Sequence, residues 1–314
     1  MVEDIIVIGG GPAGLSASLY LAREAFSPLV IAGFQAGGQL LDTTTVENYP
    51  GFPEGIQGPE LIDKFRKQAV KFGARFVDED VTDVDFSKRP FTIKAAGKEY
   101  QANSVIIATG ASPRMLGLES EKKFMGRGIS TCATCDAPFY KNKNVVVVGG
   151  GDTAMEDADF ITKFADQVTI IHRRDQFRAS KIMQERIFDN KKIKIVWNSE
   201  VQEILGDTKV SGVKIKNSKT GEESTLNCDG VFIAIGFEPN TKFLEGKIPL
   251  EHGYIVTKDE IKTDIEGLYI AGDDADFKYR QAATAVGSGV KAALEARAYL
   301  QQFKFDESKN KDNK

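Results

Sequence analysis

Two glycine turns, each placed directly after a run of buried-type residues, constrain this chain more than any other feature. Asp4 to Leu21 gives a β-rich run, then Gly9-Gly10-Gly11-Pro12-Ala13-Gly14, then an Ala-rich helical pattern. Asn144 to Phe164 repeats the plan with Val145-Val146-Val147-Val148, then Gly149-Gly150-Gly151-Asp152-Thr153-Ala154, then a second helical pattern. Continuous runs of branched residues predict parallel strands covered on both faces, and each glycine turn opens a helix. Each helix is followed by a further apolar strand, Leu29 to Ala32 and Val168 to Ile171. The expected fold class is therefore α/β, with two Rossmann-like dinucleotide-binding domains.

In such a turn Gly9 permits the sharp bend, Gly11 lets the backbone approach a pyrophosphate, and Gly14 lets helix and strand pack closely. The helix N-terminus then offers N–H groups and partial positive charge to the anion. Further strands are predicted at Ser104 to Ala108 before Thr109-Gly110, at Val231 to Ile235 before Gly236, and at Leu268 to Ala271 before Gly272-Asp273. The last of these supplies a partner for the first glycine strand, so the second βαβ unit is expected to be inserted into the first domain. Cuts beside Pro113 and Pro239 suit that plan. A final helix is expected from about Ala282 to Gln302, with the polar tail after Phe305 frayed.

The tip of the strand after each turn selects the nucleotide. After the second turn it reads His172-Arg173-Arg174, with Arg178 a turn further on. Arginines there suit a 2′-phosphate, whereas a carboxylate suits a bare ribose. Two charged hydrogen bonds, each roughly 1.5–3 kcal/mol, would prefer NADPH over NADH by at least about a hundredfold. Asp175 follows and is able to pair with a neighbouring arginine. After the first turn the chain runs Gly33-Phe34-Gln35, with neither arginine nor acid, which suits FAD held through the Gln35 amide.

Cys132-Ala133-Thr134-Cys135-Asp136 precedes the second glycine strand. Zinc would need further ligands, and only Cys228, His172 and His252 remain, all distant in sequence. Two inert buried thiols are a second alternative. A redox dithiol is the third, in which one thiolate attacks and its neighbour resolves, with the Asp136 carboxyl moving a proton. Cys228, Trp197 and Phe160 are assigned to the core. No metal site is expected. The net charge of −4 gives no field for nucleic acid, and no apolar run of about 18 residues predicts a membrane span. The N-terminus lacks a basic segment and cleavage site, so a cytoplasmic protein is expected.

With these motifs in place, the chain resembles the low-molecular-weight, NADPH-dependent thioredoxin reductases over nearly its whole length. The likeness rests on GGGPAG at 9–14, GGQL at 37–40, VENYPGFP at 46–53, ATGASPR at 108–114, CATCD at 132–136, GGGDTA at 149–154, HRRDQFRA at 172–179, AIGFEPNT at 234–241, AGDD at 271–274 and YRQAATAVGSG at 279–289. The resemblance implies a discontinuous FAD domain, 1–113 and 242–314, around an NADPH domain, 114–241, that carries the dithiol. FAD would meet Gly9, Gly11, Pro12, Ala13, Gly14, Gln35, Gly38, Gln39, Leu40, Asn48, Val81, Thr109, Gly110, Gly272, Asp273, Arg280, Gln281 and Ala282. Asp273 would hold the ribityl chain. NADPH would meet Gly151, Asp152, Thr153, Ala154, His172, Arg173, Arg174, Arg178, Ile235 and Gly236.

By the same resemblance, electrons pass from NADPH through FAD to the Cys132–Cys135 disulfide and on to thioredoxin. Cys135 would face the flavin, Cys132 would attack the partner, and Asp136 would serve as acid and base. The NADPH domain would rotate on its two linkers between half-reactions, and the protein would be a homodimer. The sequence departs from the family at Gln35 and at Ala137-Pro138-Phe139-Tyr140, the loop that with Arg127 would meet thioredoxin. A reductase of another small dithiol protein, a flavin oxidase and a redox sensor remain as alternatives.

Overall fold

The computed structural model describes residues 2–41, 43 and 45–312. It divides into two compact units, residues 1–112 with 238–314, and residues 113–237. In the first unit the strand Val2–Ile8 runs parallel between Leu29–Ile31 and Lys98–Ile107. Ile5, Ile6 and Val7 are fully buried because the sheet is covered on both faces, which is why this strand shows an unbroken apolar run. Lys98–Ile107 is shared between two partners along one edge. Its first half pairs antiparallel with Phe91–Ala95, and its second half pairs parallel with Leu268–Ile270. A strand from late in the chain is thereby brought beside the first glycine turn, as the sequence predicts.

One face of this sheet is covered by the helices Pro12–Arg23 and Ala282–Asp312. Their contact is made of small residues: Ala13, Ala17, Ala285, Ala292, Ala293 and Ala296 share one core with Ile5, Val7, Val30 and Ile106. A β-carbon at Gly289 would sit well inside 3.0 Å of the Ala13 carbonyl oxygen. The final helix continues to Asp312, about three turns past the expected stop at Gln302. Local contacts account for this: Gln302 Nε2 donates to both Asp306 carboxylate oxygens at 3.0 Å, and the Lys309 ammonium lies over the Phe305 ring. The expected frayed tail is thus helical through Asp312, while Asn313 and Lys314 lie outside the described residues.

In the second unit Asn144–Gly149 is central, parallel to Gln167–Ile171 on one side and Gly230–Ala234 on the other. Ile129–Ser130 and Ile193–Val196 complete the five-stranded sheet. The helix Asp152–Ile161 packs Ala154, Met155, Ala158 and Ile161 onto one face. On the other face lies an antiparallel ribbon, Ser199–Gly206, Val210–Asn217 and Glu223–Asn227, whose Val201, Ile204, Val213 and Ile215 cover Val146 and Val148. Cys228 is 5% exposed in that core, and burial pushes its thiol up to about 12, so it is inert packing. Trp197 and Phe160 pack against the other core, as assigned. The two short segments where the chain passes between units, Ala111–Pro113 and Phe237–Pro239, pair with each other.

The tight helix contact yields a direct expectation. Gly289→Ala overpacks the first unit and lowers the midpoint of denaturant unfolding by an amount equivalent to about 1–3 kcal/mol. Gly287→Ala on the same helix, where an added β-carbon meets nothing within 4 Å, leaves the midpoint close to wild type or raises it.

Candidate active site

The first glycine turn is shaped by exclusion. Gly9 has φ +119° and its backbone lies against the Ala108 carbonyl, leaving no space for a β-carbon. Gly14 is pressed in the same way against the Gly9 carbonyl. Gly11 is the opposite case, since a β-carbon there would meet no atom within 4 Å. The backbone between them therefore faces open space. Pro12 begins the helix, where its missing N–H costs nothing, and the first turn has no acidic residue and no side-chain cap. The positive end of the helix is left for an external anion.

Other residues expected at the flavin converge in this unit. Gly272 has φ +96°, its N–H donates to Ser288 Oγ at 2.9 Å, and an added β-carbon would lie 3.1 Å from Ala13 Cβ. Asn48 Nδ2 donates to Gln281 Oε1 at 3.3 Å, joining two segments 233 residues apart. Gln39 Nε2 donates to the Ala111 carbonyl at 2.8 Å, and Gly38 opens on space, as Gly110 does. Leu40 packs against Val46, Ile56 and Leu61. Ala282 starts the final helix. Arg280, with φ +47°, is near enough to Asp273 to hold its pKa down in part. Burial dominates even so, with Asp276 adding to it, and pushes Asp273 up to about 7. Asp273 Oδ1 is buried with no hydrogen-bond partner among the described residues. An orphaned oxygen beside a bare helix N-terminus fits the hydroxyls and phosphates of a flavin nucleotide.

The strand tip holds a residue that local sequence does not reveal. Gln35 is exposed, and the carboxylate lacking there is brought by Asp80, whose Oδ1 accepts the Phe34 N–H at 2.9 Å. Its segment is tied on through the Gly33 N–H, which donates to the Glu79 carbonyl at 3.2 Å. Val81 follows and pairs with Ala95. The only signal was an acidic cluster at 78–80, with nothing to say which strand it would meet.

In the second unit the basic segment is laced to the glycine turn. The Arg178 N–H donates to the Gly150 carbonyl at 2.8 Å, and the Ser180 N–H to Asp152 Oδ1 at 2.8 Å. That backbone donor is the main reason the Asp152 carboxyl sits below the usual range. His172 is 5% exposed and its ring fills the space a Gly150 β-carbon would take. Its Nε2 lies 3.1 Å from the Gln176 carbonyl, and desolvation lowers its pKa. His172 thus supports the turn from inside. Ala154 is fully buried beneath the turn, Thr153 is half-buried, and Gly151 opens on space. Gly236 also opens on space and accepts the Arg114 N–H at 2.9 Å, with Ile235 half-buried beside it. Arg173, Arg174 and Arg178 are exposed. Asp175 pairs with Lys219 at 2.6 Å, and no ion pair to these arginines occurs among the described residues.

Cys132 and Cys135 form a disulfide across the short helix Ala133–Asp136, with Cα atoms 5.3 Å apart. Among the described residues no group of His, Cys, Asp or Glu gathers as a metal site. The Thr134 hydroxyl lies 3.4 Å from Cys132 Sγ. Ser130, 3% exposed, accepts the Cys132 N–H at 3.0 Å and also bonds the Asp136 side chain. Burial raises the Asp136 pKa, and the Ser130 hydrogen bond offsets this only in part. Beyond the disulfide, Tyr140 is buried against Phe232 at 5.2 Å, while Phe139 and Arg127 are exposed. Ser130 was not singled out from sequence, because a lone serine before a CxxC carries no signal.

Residues 3–289 match the family model for pyridine nucleotide-disulphide oxidoreductases. A thioredoxin reductase of Rickettsia conorii is 52% identical over 306 residues, covering 96% of this chain and 99% of its own. One from Streptomyces coelicolor is 50% identical over 303 residues, covering 95% and 94%. The solved thioredoxin reductase of Giardia duodenalis superposes with a TM-score of 0.90 at 42% identity, covering 95% and 99%. The chain therefore belongs to the pyridine nucleotide-disulphide oxidoreductases and, within them, to the thioredoxin reductase family. Membership implies a flavin and a nicotinamide cofactor. Among the described residues no helix is long and apolar enough to cross a membrane.

The buried Asp273 carboxyl makes stability depend on pH. The unfolded chain ionises it near 3.8, whereas the folded chain keeps its proton to about 7. The folded state thus binds more protons across that window and loses stability as pH rises through it. Asp273→Asn removes this loss, so the flavin-free variant gains on flavin-free wild type from about pH 4 to about pH 7 and no further above it. Chemical unfolding at several pH values checks the trend.

Proposed function

We propose that this chain is an NADPH-dependent thioredoxin-disulfide reductase that carries FAD on its first unit and binds NADPH on its second. The observation that carries the reading is the Cys132–Cys135 disulfide beside a half-buried acid, in the same unit as an arginine-flanked glycine turn. FAD is favoured at the first turn because that site offers a bare helix end and unpartnered acceptors but no arginine pair for a 2′-phosphate. NADPH is favoured at the second because Arg173 and Arg174 keep their guanidinium donors while Lys219 occupies Asp175. Gly11 and Gly151 admit the phosphates, Asp273 takes a sugar hydroxyl, and Asp80 with Gln35 lies at the ribose end. The surroundings follow from the same reading: a cytoplasmic homodimer whose partner is thioredoxin, met by Phe139 and Arg127.

When bound, FAD supplies a two-electron relay between reduced nicotinamide and a disulfide. The chain's own residues do the rest. Reduction of Cys132–Cys135 breaks the S–S bond and takes up two electrons and two protons. Burial raises the Asp136 pKa, so its carboxyl keeps a proton to a higher pH than an ordinary carboxylate does and stands beside the disulfide to give it. The Cys132 thiolate, with the Thr134 hydroxyl beside it, attacks one sulfur of the partner's disulfide. Cys135 then attacks Cys132 of the mixed disulfide, the partner leaves as a dithiol, and the internal disulfide re-forms.

Two experiments test these roles. Asp136→Asn should slow thioredoxin reduction by about 10²–10⁴-fold while the flavin is still reduced by NADPH at the wild-type rate. In wild type the thiol step should fall as pH rises through an ionisation above the usual carboxylate range, and the variant should lack that limb. Separately, Arg173→Ala with Arg174→Ala should narrow the NADPH over NADH preference at least about tenfold in kcat/KM. An unchanged ratio in the double variant would refute the phosphate assignment.

A further inference from the structure

One buried acid of the first unit, the last residue of AGDD at 271–274, received no role from the sequence. Asp274 is wholly buried. Its Oδ2 accepts the Thr109 N–H at 2.8 Å and the Thr109 hydroxyl at 3.2 Å, and the Gly110 N–H also bonds to it. Its Oδ1 has no partner among the described residues. From another segment, Asn240 takes the carbonyls of the same turn: its Nδ2 donates to the Thr109 oxygen and its N–H to the Gly110 oxygen, both at 2.9 Å. Every backbone polar group of Thr109 and Gly110 is thus held by two side chains and one amide from distant parts of the chain.

The clamp has an open side. Gly110 has φ +67°, and a β-carbon there would meet nothing within 4 Å. Asp274 also belongs to the turn that aims Asp273. The Ala275 and Asp276 N–H groups both donate to the Gly272 carbonyl, at 3.2 and 3.0 Å. The Asp274 carbonyl accepts the Ile255 N–H at 2.9 Å. Asp273, the preceding residue, keeps a buried carboxyl oxygen with no partner among the described residues, which points to a ligand as its missing partner.

We propose that Asp274 is a positioning residue of the flavin site. It clamps the Thr109–Gly110 backbone and fixes the Gly272–Asp276 turn, so that both the bare backbone and the Asp273 carboxyl face the bound flavin nucleotide. This rests on FAD occupying the first unit. Burial raises the Asp274 pKa to about 8, which agrees with a group that clamps through hydrogen bonds while largely uncharged.

The test uses purified holoprotein. FAD release is followed by the rise in free-flavin fluorescence on dilution, and the bound flavin by its visible absorption bands. Asp274→Val, similar in size but without acceptors, should release FAD at least about tenfold faster and shift the bands. Asp274→Asn, which keeps an acceptor oxygen for the Thr109 and Gly110 N–H groups, should stay within about threefold of wild type with unshifted bands. Wild-type release and spectrum in the valine variant would overturn the inference, and so would an asparagine variant as defective as the valine one. If the valine chain does not fold, Asp274→Ala takes its place, with faster release expected and a wild-type rate contradicting the claim. A wild-type protein purified without colour would instead remove the FAD assignment itself, so the two failures are distinct.

Discussion

At Gly9 the chain passes against the Ala108 carbonyl oxygen with no room for a methyl group between them. The same exclusion recurs where Gly14 meets the Gly9 carbonyl, where Gly289 meets Ala13, and where Gly149 meets the Ala234 carbonyl. The approaches at Gly9, Gly14 and Gly149 lie within the glycine motifs, whereas Gly289 seats the final helix on the first. Gly11 and Gly151, where an added β-carbon would meet nothing within 4 Å, leave the backbone of the turns bare. Tight packing and an anion cradle therefore come from neighbouring glycines of one turn. In the second unit the ring of His172 fills the place where a Gly150 β-carbon would stand, and the arginine segment is anchored to the turn through Gly150 and Asp152.

Charge follows burial. Exposed acids such as Asp83, Asp175 and Glu223 have lowered pKa values because lysines bond to them, and they hold surface segments together. Exposed Asp152 is lowered too, by the Ser180 N–H, whereas the desolvated acids of the candidate sites move the other way. Asp136, Asp273 and Asp274 are raised because dehydration outweighs their hydrogen bonds. A surface carboxylate near its ordinary pKa has no proton to give at neutral pH. Burial beside a disulfide shifts a carboxyl toward keeping its proton, which is what dithiol chemistry needs.

The sequence disclosed what is encoded by contiguous residues. Both glycine turns, the CATCD segment, the arginines after the second turn and the inert burial of Cys228 were legible from residue type and spacing alone. The strand Leu268–Ile270 was legible as a partner because an otherwise unfinished sheet required one. The unread residues depend on closure in three dimensions. Asp80 reaches the tip of a strand some 50 residues earlier, and Ser130 joins Cys132 to Asp136. The far end of the final helix was missed for a different reason: its polar composition resembles a loose tail, whereas pairs spaced by four residues hold it as helix.

The central claim is that flavin and the Cys132–Cys135 pair exchange electrons within one polypeptide. Anaerobic reductive titration of the holoprotein, with the visible flavin bands as readout, tests it most directly. The account predicts that wild type takes up about twice as many electrons as Cys135→Ser before the flavin is fully bleached, because disulfide and flavin each accept an electron pair. Equal uptake by the two proteins would mean that the thiol pair is not coupled to the flavin, and would contradict the account.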